Sequence, residues 1–184
     1  MGNQGLEGLY NEGGFVVRAG GATVKKVLVA YFSVLGEEGV TGKLAARFAE
    51  RIHADLFQIV PAQPYTKADC DWRNSKSRSS VEMGDRGSRP AIASQVDDMG
   101  RYDVVFVGFP IWWYREPSII DTFMEAYDFA GKTVVPFATS GGSGIGDSGR
   151  NMNALAPKAR VAAGKVFDTN VSADTIAAWA QTWL

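Results

Sequence analysis

The first clear pattern along the chain is an unbroken apolar run, Val27-Leu28-Val29-Ala30-Tyr31-Phe32, behind the charged pair Lys25-Lys26. A run without polar alternation fits a parallel strand covered on both faces. A glycine-bearing loop follows. Leu44, Ala45, Phe48, Ala49 and Ile52 then recur at the spacing of a helix with one apolar face. Residues 55–60 read as a second strand, stopped by Pro61 and Pro64. Asp103-Val104-Val105-Phe106-Val107-Gly108-Phe109 gives a third. Pro117 opens a segment whose Ile119, Ile120, Phe123, Met124 and Tyr127 predict an amphipathic helix. Proline suits a helix's first turn, because its missing N–H would have had no intrahelical partner. Residues 133–139 form a fourth strand in which Pro136 marks an irregularity. A Gly/Ser loop, a helix ending near Ala156, a strand over 161–167 and a closing helix from Ser172 complete the pattern.

Strands alternating with helices predict an α/β fold, a parallel sheet with helices on both faces. Its crossovers are right-handed, and ligands bind beyond the carboxyl ends of the strands. Two stretches stand outside this pattern. Residues 66–89 are polar and irregular, with Ser75-Lys76-Ser77-Arg78-Ser79-Ser80 at their centre. The stretch is too long for an ordinary connection and is therefore either functional or poorly ordered, with 69–83 compatible with a helix. The opening residues are Gly-rich and lack the basic start and apolar stretch of a signal peptide. They fit a loose, disordered arm, an expression-tag remnant, or a short strand around Phe15-Val16-Val17. Residues 1–23 are thus set apart from one domain over 24–184.

Composition narrows the chemistry by exclusion. A net charge of −1 on 184 residues gives no general attraction to nucleic acid or an anionic membrane. No apolar run reaches the roughly 20 residues a membrane span needs. A single cysteine, Cys70, rules out an internal disulfide and a multi-thiolate metal site, and a single histidine, His53, rules out an imidazole-rich one. These counts fit a reducing, cytoplasmic setting. His53 falls at the end of the first helix and reads as structural; Cys70 reads as an ordinary thiol.

The three loops at the carboxyl edge carry the remaining signals. After the first strand comes Ser33-Val34-Leu35-Gly36-Glu37-Glu38-Gly39-Val40-Thr41-Gly42-Lys43. Hydroxyls and free amides at a helix N-terminus suit a phosphate. A Walker A loop is excluded, since Gly42-Lys43 lacks the upstream glycine and Leu44 replaces the Ser/Thr that binds magnesium. After the third strand, Pro110-Ile111-Trp112-Trp113-Tyr114 sets three large aromatics in a loop. They suit either stacking on a flat ligand or packing against the 66–89 stretch or a second subunit. After the fourth strand comes Thr139-Ser140-Gly141-Gly142-Ser143-Gly144-Ile145-Gly146, whose glycines let the backbone approach a ligand and leave amides free. Gly144-Ile145-Gly146-Asp147-Ser148-Gly149, with Asp168 beyond, matches a dinucleotide fingerprint, but its first glycine lies too far past the strand.

Together these residues resemble the flavodoxin-like family, in particular a short bacterial branch. The resemblance rests on Val107-Gly108-Phe109-Pro110-Ile111-Trp112-Trp113, Tyr127-Asp128-Phe129-Ala130-Gly131-Lys132 and Pro136-Phe137-Ala138-Thr139-Ser140-Gly141-Gly142-Ser143-Gly144. Lys76-Ser77-Arg78-Ser79-Ser80-Val81-Glu82-Met83 and Arg89-Pro90-Ala91-Ile92 are also similar to that branch, and Ala30-Tyr31-Phe32-Ser33 to its first strand. The resemblance implies a doubly wound, five-stranded parallel sheet in the order 2-1-3-4-5, and FMN as cofactor. It places Ser33, Gly39, Val40 and Thr41 at the phosphate. Pro110 to Tyr114 would flank the isoalloxazine ring, with Trp112 or Trp113 stacking. Thr139, Ser140, Gly141, Gly142, Gly144 and Gly146 would line its other side. The phosphate turn departs from the family's Thr-Gly-Asn-Thr type. Gly39-Val40-Thr41 matches Gly-Asn-Thr after an insertion of about three residues, and Glu37 and Glu38 bring negative charge nearby. No metal site, catalytic acid or nucleophile is implied, because the redox chemistry belongs to the cofactor.

Two functions follow. One is an oxidoreductase taking electrons from NADH or NADPH and reducing a quinone-like small molecule; the other is a flavodoxin carrying single electrons between protein partners. Carriers gain from an acidic surface that steers association, and this chain is nearly neutral, which tilts the reading towards the enzyme. The basic 73–89 stretch (Arg73, Lys76, Arg78, Arg86, Arg89) suits either an anionic ligand or a solvated loop. A flavin-free module follows if the altered turn does not hold FMN. A homodimer is compatible with the sequence.

Overall fold

The computed structural model describes residues 24–184, together with the backbone of Leu9–Asn11 and Gly14–Val16, which pair antiparallel. Of the strand expected around Phe15-Val16-Val17, Phe15 and Val16 lie in that pair. The rest of the proposed arm is outside the described residues.

The central sheet is parallel. Its strands are β1 (Val27–Tyr31), β2 (Asp55–Gln58), β3 (Val104–Pro110), β4 (Thr133–Thr139) and two short pieces, β5 (Arg160–Val161) and β6 (Lys165–Val166). The order is β2-β1-β3-β4, with β5 and β6 both paired to β4. Counting those two as one interrupted strand gives the expected 2-1-3-4-5.

The interruption has a physical cause in β4. The Val134 and Ala138 carbonyls accept from the amides of Ala162 and Phe167, so the polar groups of Pro136, midway between them, face the same neighbour. Proline has no N–H to offer there. The ladder skips at this point: Val134 stands opposite Val161, but Phe137 opposite Lys165, which inserts one extra residue in the outer strand as a bulge.

Five α-helices cover the sheet: α1 (Val40–Ile52), α2 (Arg78–Gly84), α3 (Ser118–Ala126), α4 (Ser148–Leu155) and α5 (Ala173–Ala180). Alternate strand residues feed two cores. Leu28, Ala30, Val105, Val107 and Val134 pack with Ile119, Ile120 and Phe123 of α3 and Met152 of α4. Val27, Val29, Tyr31, Phe106 and Phe137 pack with Leu44 and Phe48 of α1 and Ile176 of α5. Burial on both faces is why the strands read as unbroken apolar runs. Phe48 meets Phe106 and Phe137 edge-on, with ring centroids 4.8 and 5.4 Å apart. Each such ring, fully buried, contributes about 1.5–3 kcal/mol.

Local signals set the helix ends. His53 closes α1 in a left-handed conformation (φ 55°), its amide donating to the Glu50 carbonyl, in keeping with a structural role. Pro117 caps α3, one position earlier than the first-turn placement read from the sequence. Ser77 and Ser172 cap α2 and α5, their hydroxyls accepting from Ser80 and Thr175. The 66–89 stretch is helical only over Arg78–Gly84, so of the segment compatible with a helix, residues 69–77 instead form turns. It lies over the α3 side of the sheet, where Cys70 packs against the core and Met83 accepts from Ser118. No helix among the described residues is long and apolar enough to cross a membrane.

Candidate cofactor site

The loops after β1, β3 and β4 converge at the carboxyl edge, and Thr139 joins them. Its hydroxyl lies 2.8 Å from that of Thr41, and its carbonyl accepts from the Ile111 amide at 2.9 Å.

The first loop is built to leave donors free. Beyond β1 the chain turns at Ser33, whose carbonyl accepts from Gly36, and Gly36–Glu38 make one 3-10 turn. This turn carries Glu37 and Glu38 out to solvent, where Glu38 lies 3.5 Å from the Lys43 ammonium. The charge that seemed to oppose a phosphate therefore faces away from the buried hydroxyls. Gly39 is the N-cap of α1 and offers no capping side chain, so the first-turn amides keep no internal acceptor. A Cβ on Gly39 would collide with the Ser33 hydroxyl, so glycine alone permits this close approach. Ser33 and Thr41 are buried, whereas the Val40 side chain is exposed and leaves only its backbone to serve the cradle. Free amides at a helix N-terminus beside two buried hydroxyls make a cradle that fits a phosphate.

The second loop is a tight reversal. The Trp112 amide donates to the Arg115 carbonyl at 3.0 Å and the Arg115 amide donates back at 3.1 Å. Trp113 and Tyr114, the central pair, have φ of 46° and 64°, the left-handed combination of a type I′ turn. That turn ordinarily takes Asn and Gly; holding two aromatics in it stores about 1–3 kcal/mol per residue. Trp112 is half-buried and stands edge-on to Phe32 (5.7 Å) and Tyr65 (5.4 Å). Trp113 and Tyr114 remain 41% and 76% exposed. The two tryptophans thus divide the work: Trp112 anchors the loop, and Trp113 presents an open ring.

The third loop follows β4. The Ser140 hydroxyl accepts from the amides of Gly142 and Ser143, which uses those two donors. Gly141, Gly144 and Gly146 have amides without a protein acceptor among the described residues. Gly146 has φ 57°, and a Cβ there would strike the Tyr114 carbonyl, so the second and third loops touch directly. Between them opens a cavity of about 300 Å³, walled by Ile111, Trp112, Trp113 and Tyr114, by Ser143, and by Cys70, Trp72 and Ser79. That volume lies at the lower end of ligand pockets.

A family model described as Flavodoxin matches residues 26–183. The chain belongs to the flavodoxin family. Among solved structures it is similar to a provisionally assigned flavoprotein from Bacteroides eggerthii, at 47% identity and a TM-score of 0.80, covering 87% of this chain and 98% of that one. A second, from Bacteroides uniformis, shares 43% identity at a TM-score of 0.79, covering 86% and 99%. A flavoprotein from Lactobacillus acidophilus, solved in complex with FMN, has the same fold at 22% identity and a TM-score of 0.62, covering 87% and 99%. No curated protein matches the chain.

In this member of the flavodoxin family, three walls of the cavity come from residues that sequence reasoning passed over: Cys70, Trp72 and Ser79. The available signal was Trp72, a tryptophan in a polar stretch, which stands 69% exposed. Burial, and then the charge of Asp69, raise the Cys70 thiol, keeping it protonated and unreactive. The aromatic loop packs on Tyr65, just before the 66–89 stretch, and opens a cavity against that stretch.

Three of the five basic residues in 73–89, Arg78, Arg86 and Arg89, are taken up by carboxylates of the protein. Arg78 lies over the Tyr65 ring at 3.9 Å and pairs with Glu82 at 2.7 Å. Arg86 reaches Glu116 at 3.3 Å, and Arg89 grips both oxygens of Glu125 at 2.8 and 2.9 Å. Directly behind the aromatic turn Arg86 and Arg89 join a buried charged cluster. The Arg115 guanidinium donates to the Glu116 carboxylate (3.4 Å), Asp121 (3.3 Å) and the Ser118 hydroxyl (3.2 Å). Asn151 of α4 donates to both Glu116 oxygens at 3.1 Å. Glu116 and Asp121 have no solvent exposure. Burial, and next the charge of Glu116, push the Asp121 carboxyl up to about 7.

Proposed function

We propose that the chain binds FMN and works as an oxidoreductase that takes electrons from NADH or NADPH and passes them to a quinone-like small molecule. The observation that carries this reading is the junction at Thr139, which sets a phosphate cradle beside an aromatic-walled cavity. When bound, FMN supplies reversible uptake of one or two electrons. Ser33, Thr41 and the first-turn amides of α1 would hold its phosphate. Trp113 and Tyr114 would cover the ring, and the free amides of Gly141, Gly144 and Gly146 would meet its polar edge. Stacking on Trp113 would exclude water from one face of the ring, with Cys70, Trp72 and Ser79 walling the same cavity. The open side of that wall suits a small acceptor, and a net charge of −1 provides little steering for a protein partner.

The test has two stages. Titration of the purified protein with FMN is expected to quench and shift the flavin spectrum; an unchanged spectrum at saturating protein would reject the reading. Under anaerobic conditions NADH or NADPH is then expected to bleach the bound flavin within about seconds, as befits turnover numbers of an ordinary enzyme. Reduction by dithionite but by neither nicotinamide would instead identify an electron carrier.

A further inference from the structure

The charged cluster behind the aromatic turn contains an anomaly that ion pairing does not explain. Asp121 Oδ1 is buried and finds no donor among the described residues. Its other oxygen, Oδ2, faces Arg115 at 3.3 Å, Arg86 at 3.8 Å and Arg89 at 3.9 Å. The Glu116 carboxyl crowds two of the same donors, its Oε1 lying 3.4 Å from Arg115 and 3.3 Å from Arg86, and it is itself an acceptor whose oxygens already face those arginines and Asn151. Two ionised carboxylates in contact cannot satisfy each other, and a buried unsatisfied acceptor is costly. A proton on Asp121 resolves both problems, since its O–H donates to Glu116.

We propose that Asp121 and Glu116 hold one proton between them and that this shared proton positions the Trp113–Tyr114 turn, making flavin affinity fall as the pair loses it. The route is short. Glu116 follows Arg115, whose backbone closes the turn on Trp112, and Arg115's guanidinium bridges Glu116, Asp121 and Ser118. Asn151 ties the same carboxylate to α4, which the Gly/Ser loop leads into. Loss of the proton leaves two facing anions in a buried site and drives Glu116 away from α3, taking the strained turn with it. The charged groups around the pair are Arg86 and Arg89, with Asp85 beside Arg89, from the segment after α2; Arg115 from the loop; and Glu125 on α3, which Arg89 neutralises. Burial raises Asp121 into the neutral range, where a change of ambient pH acts on it. Asp121 and Glu116 are positioning residues and need not touch the flavin.

The affinity part rests on the FMN reading above; the positioning part is measurable without flavin. The variant Asp121→Asn imitates the protonated pair, its amide donating to Glu116 and its carbonyl accepting from Arg115. In the apoprotein, the Trp113 indole N–H resonance, assigned with Trp113→Phe, is expected to titrate near neutrality in the native chain and to stay fixed in Asp121→Asn. For FMN, the dissociation constant of the native chain is expected to rise by at least about fivefold between pH 5.5 and 8.5 relative to that of Asp121→Asn. The ligand's own phosphate titration is common to both proteins and cancels. Parallel pH profiles for the two proteins, in either measurement, would overturn the proposal. A Trp113 titration confined to the native chain, with no FMN bound by either protein, would uphold the positioning pair and reject the flavin reading instead. If Asp121→Asn does not fold, the 13C shift of the Asp121 carboxyl in the native chain decides: a midpoint near the ordinary aspartate value rules out the shared proton.

Discussion

Replacing Gly146 with alanine is expected to weaken FMN binding by about a hundredfold while leaving the apoprotein folded. Two costs combine at this position. The residue sits at φ 57°, where an L side chain is strained, and its Cβ would meet the Tyr114 carbonyl, a backbone atom that cannot rotate away. Together they amount to about 3 kcal/mol, and every 1.4 kcal/mol is about tenfold in affinity. The exposed Gly/Ser loop escapes by separating from the aromatic turn, so the cost falls on the cavity between them rather than on the sheet. A melting temperature within about 4 °C of the native value is therefore expected alongside the lost affinity. Gly144→Ala supplies the contrast for folding: its Cβ meets open space and its φ is ordinary, so stability should change by less than about 0.5 kcal/mol. Fluorescence titration with FMN checks the prediction. Undiminished affinity in Gly146→Ala would mean that the two loops do not form one site.

What could be read in the sequence is what short-range pattern encodes. Unbroken apolar runs mark strands buried on both faces, and helical spacing in 44–52 and 119–127 marks the helices covering them. Pro136 flagged the irregularity in β4, but the bulge it causes lies across the sheet between Val161 and Lys165, where no local signal exists. The site divides in the same way. Hydroxyls, aromatics and glycines announced three loops, and strand order brought them to one edge. The left-handed turn at Trp113 and Tyr114 was hidden, because neither residue favours that conformation. It persists through contacts distant in sequence: Trp112 on Tyr65, Gly146 against Tyr114, and Arg86 on Glu116. Glu37 and Glu38 looked hostile to a phosphate only while the 3-10 turn that directs them outward was unknown. Glu116 and Asp121 carried no signal at all, since acids near a helix start are usual. Their meaning comes from sharing one dry site.

The two carboxyls of that site should respond to substitution in opposite ways, and the second large prediction rests on this asymmetry. Glu116→Gln removes the charge facing Arg86 and Arg115 and turns one of Asn151's acceptors into a donor. Arg115 is then left buried without a full counter-charge, a change that costs about 3–5 kcal/mol, or about 10 °C in melting temperature for a chain of this size. Asp121→Asn keeps every hydrogen bond of the protonated acid and should be neutral or stabilising at pH 8. The sign follows from linkage. Asp121 binds its proton more tightly in the folded state, near 7, than in the unfolded chain, near the ordinary aspartate value of 3.8. Between those values the folded protein holds more protons, so its stability falls as pH rises from about 4 to about 7 and is level above that. Asp121→Asn lacks this decline, so the native chain should lose stability relative to the variant across that window. Thermal melts of the apoprotein at pH 5 and pH 8 separate the cases. Comparable losses from both substitutions at pH 8 would mean that both carboxylates are ionised and earn their burial through the arginines; a large loss from Glu116→Gln alone leaves the proton on Asp121.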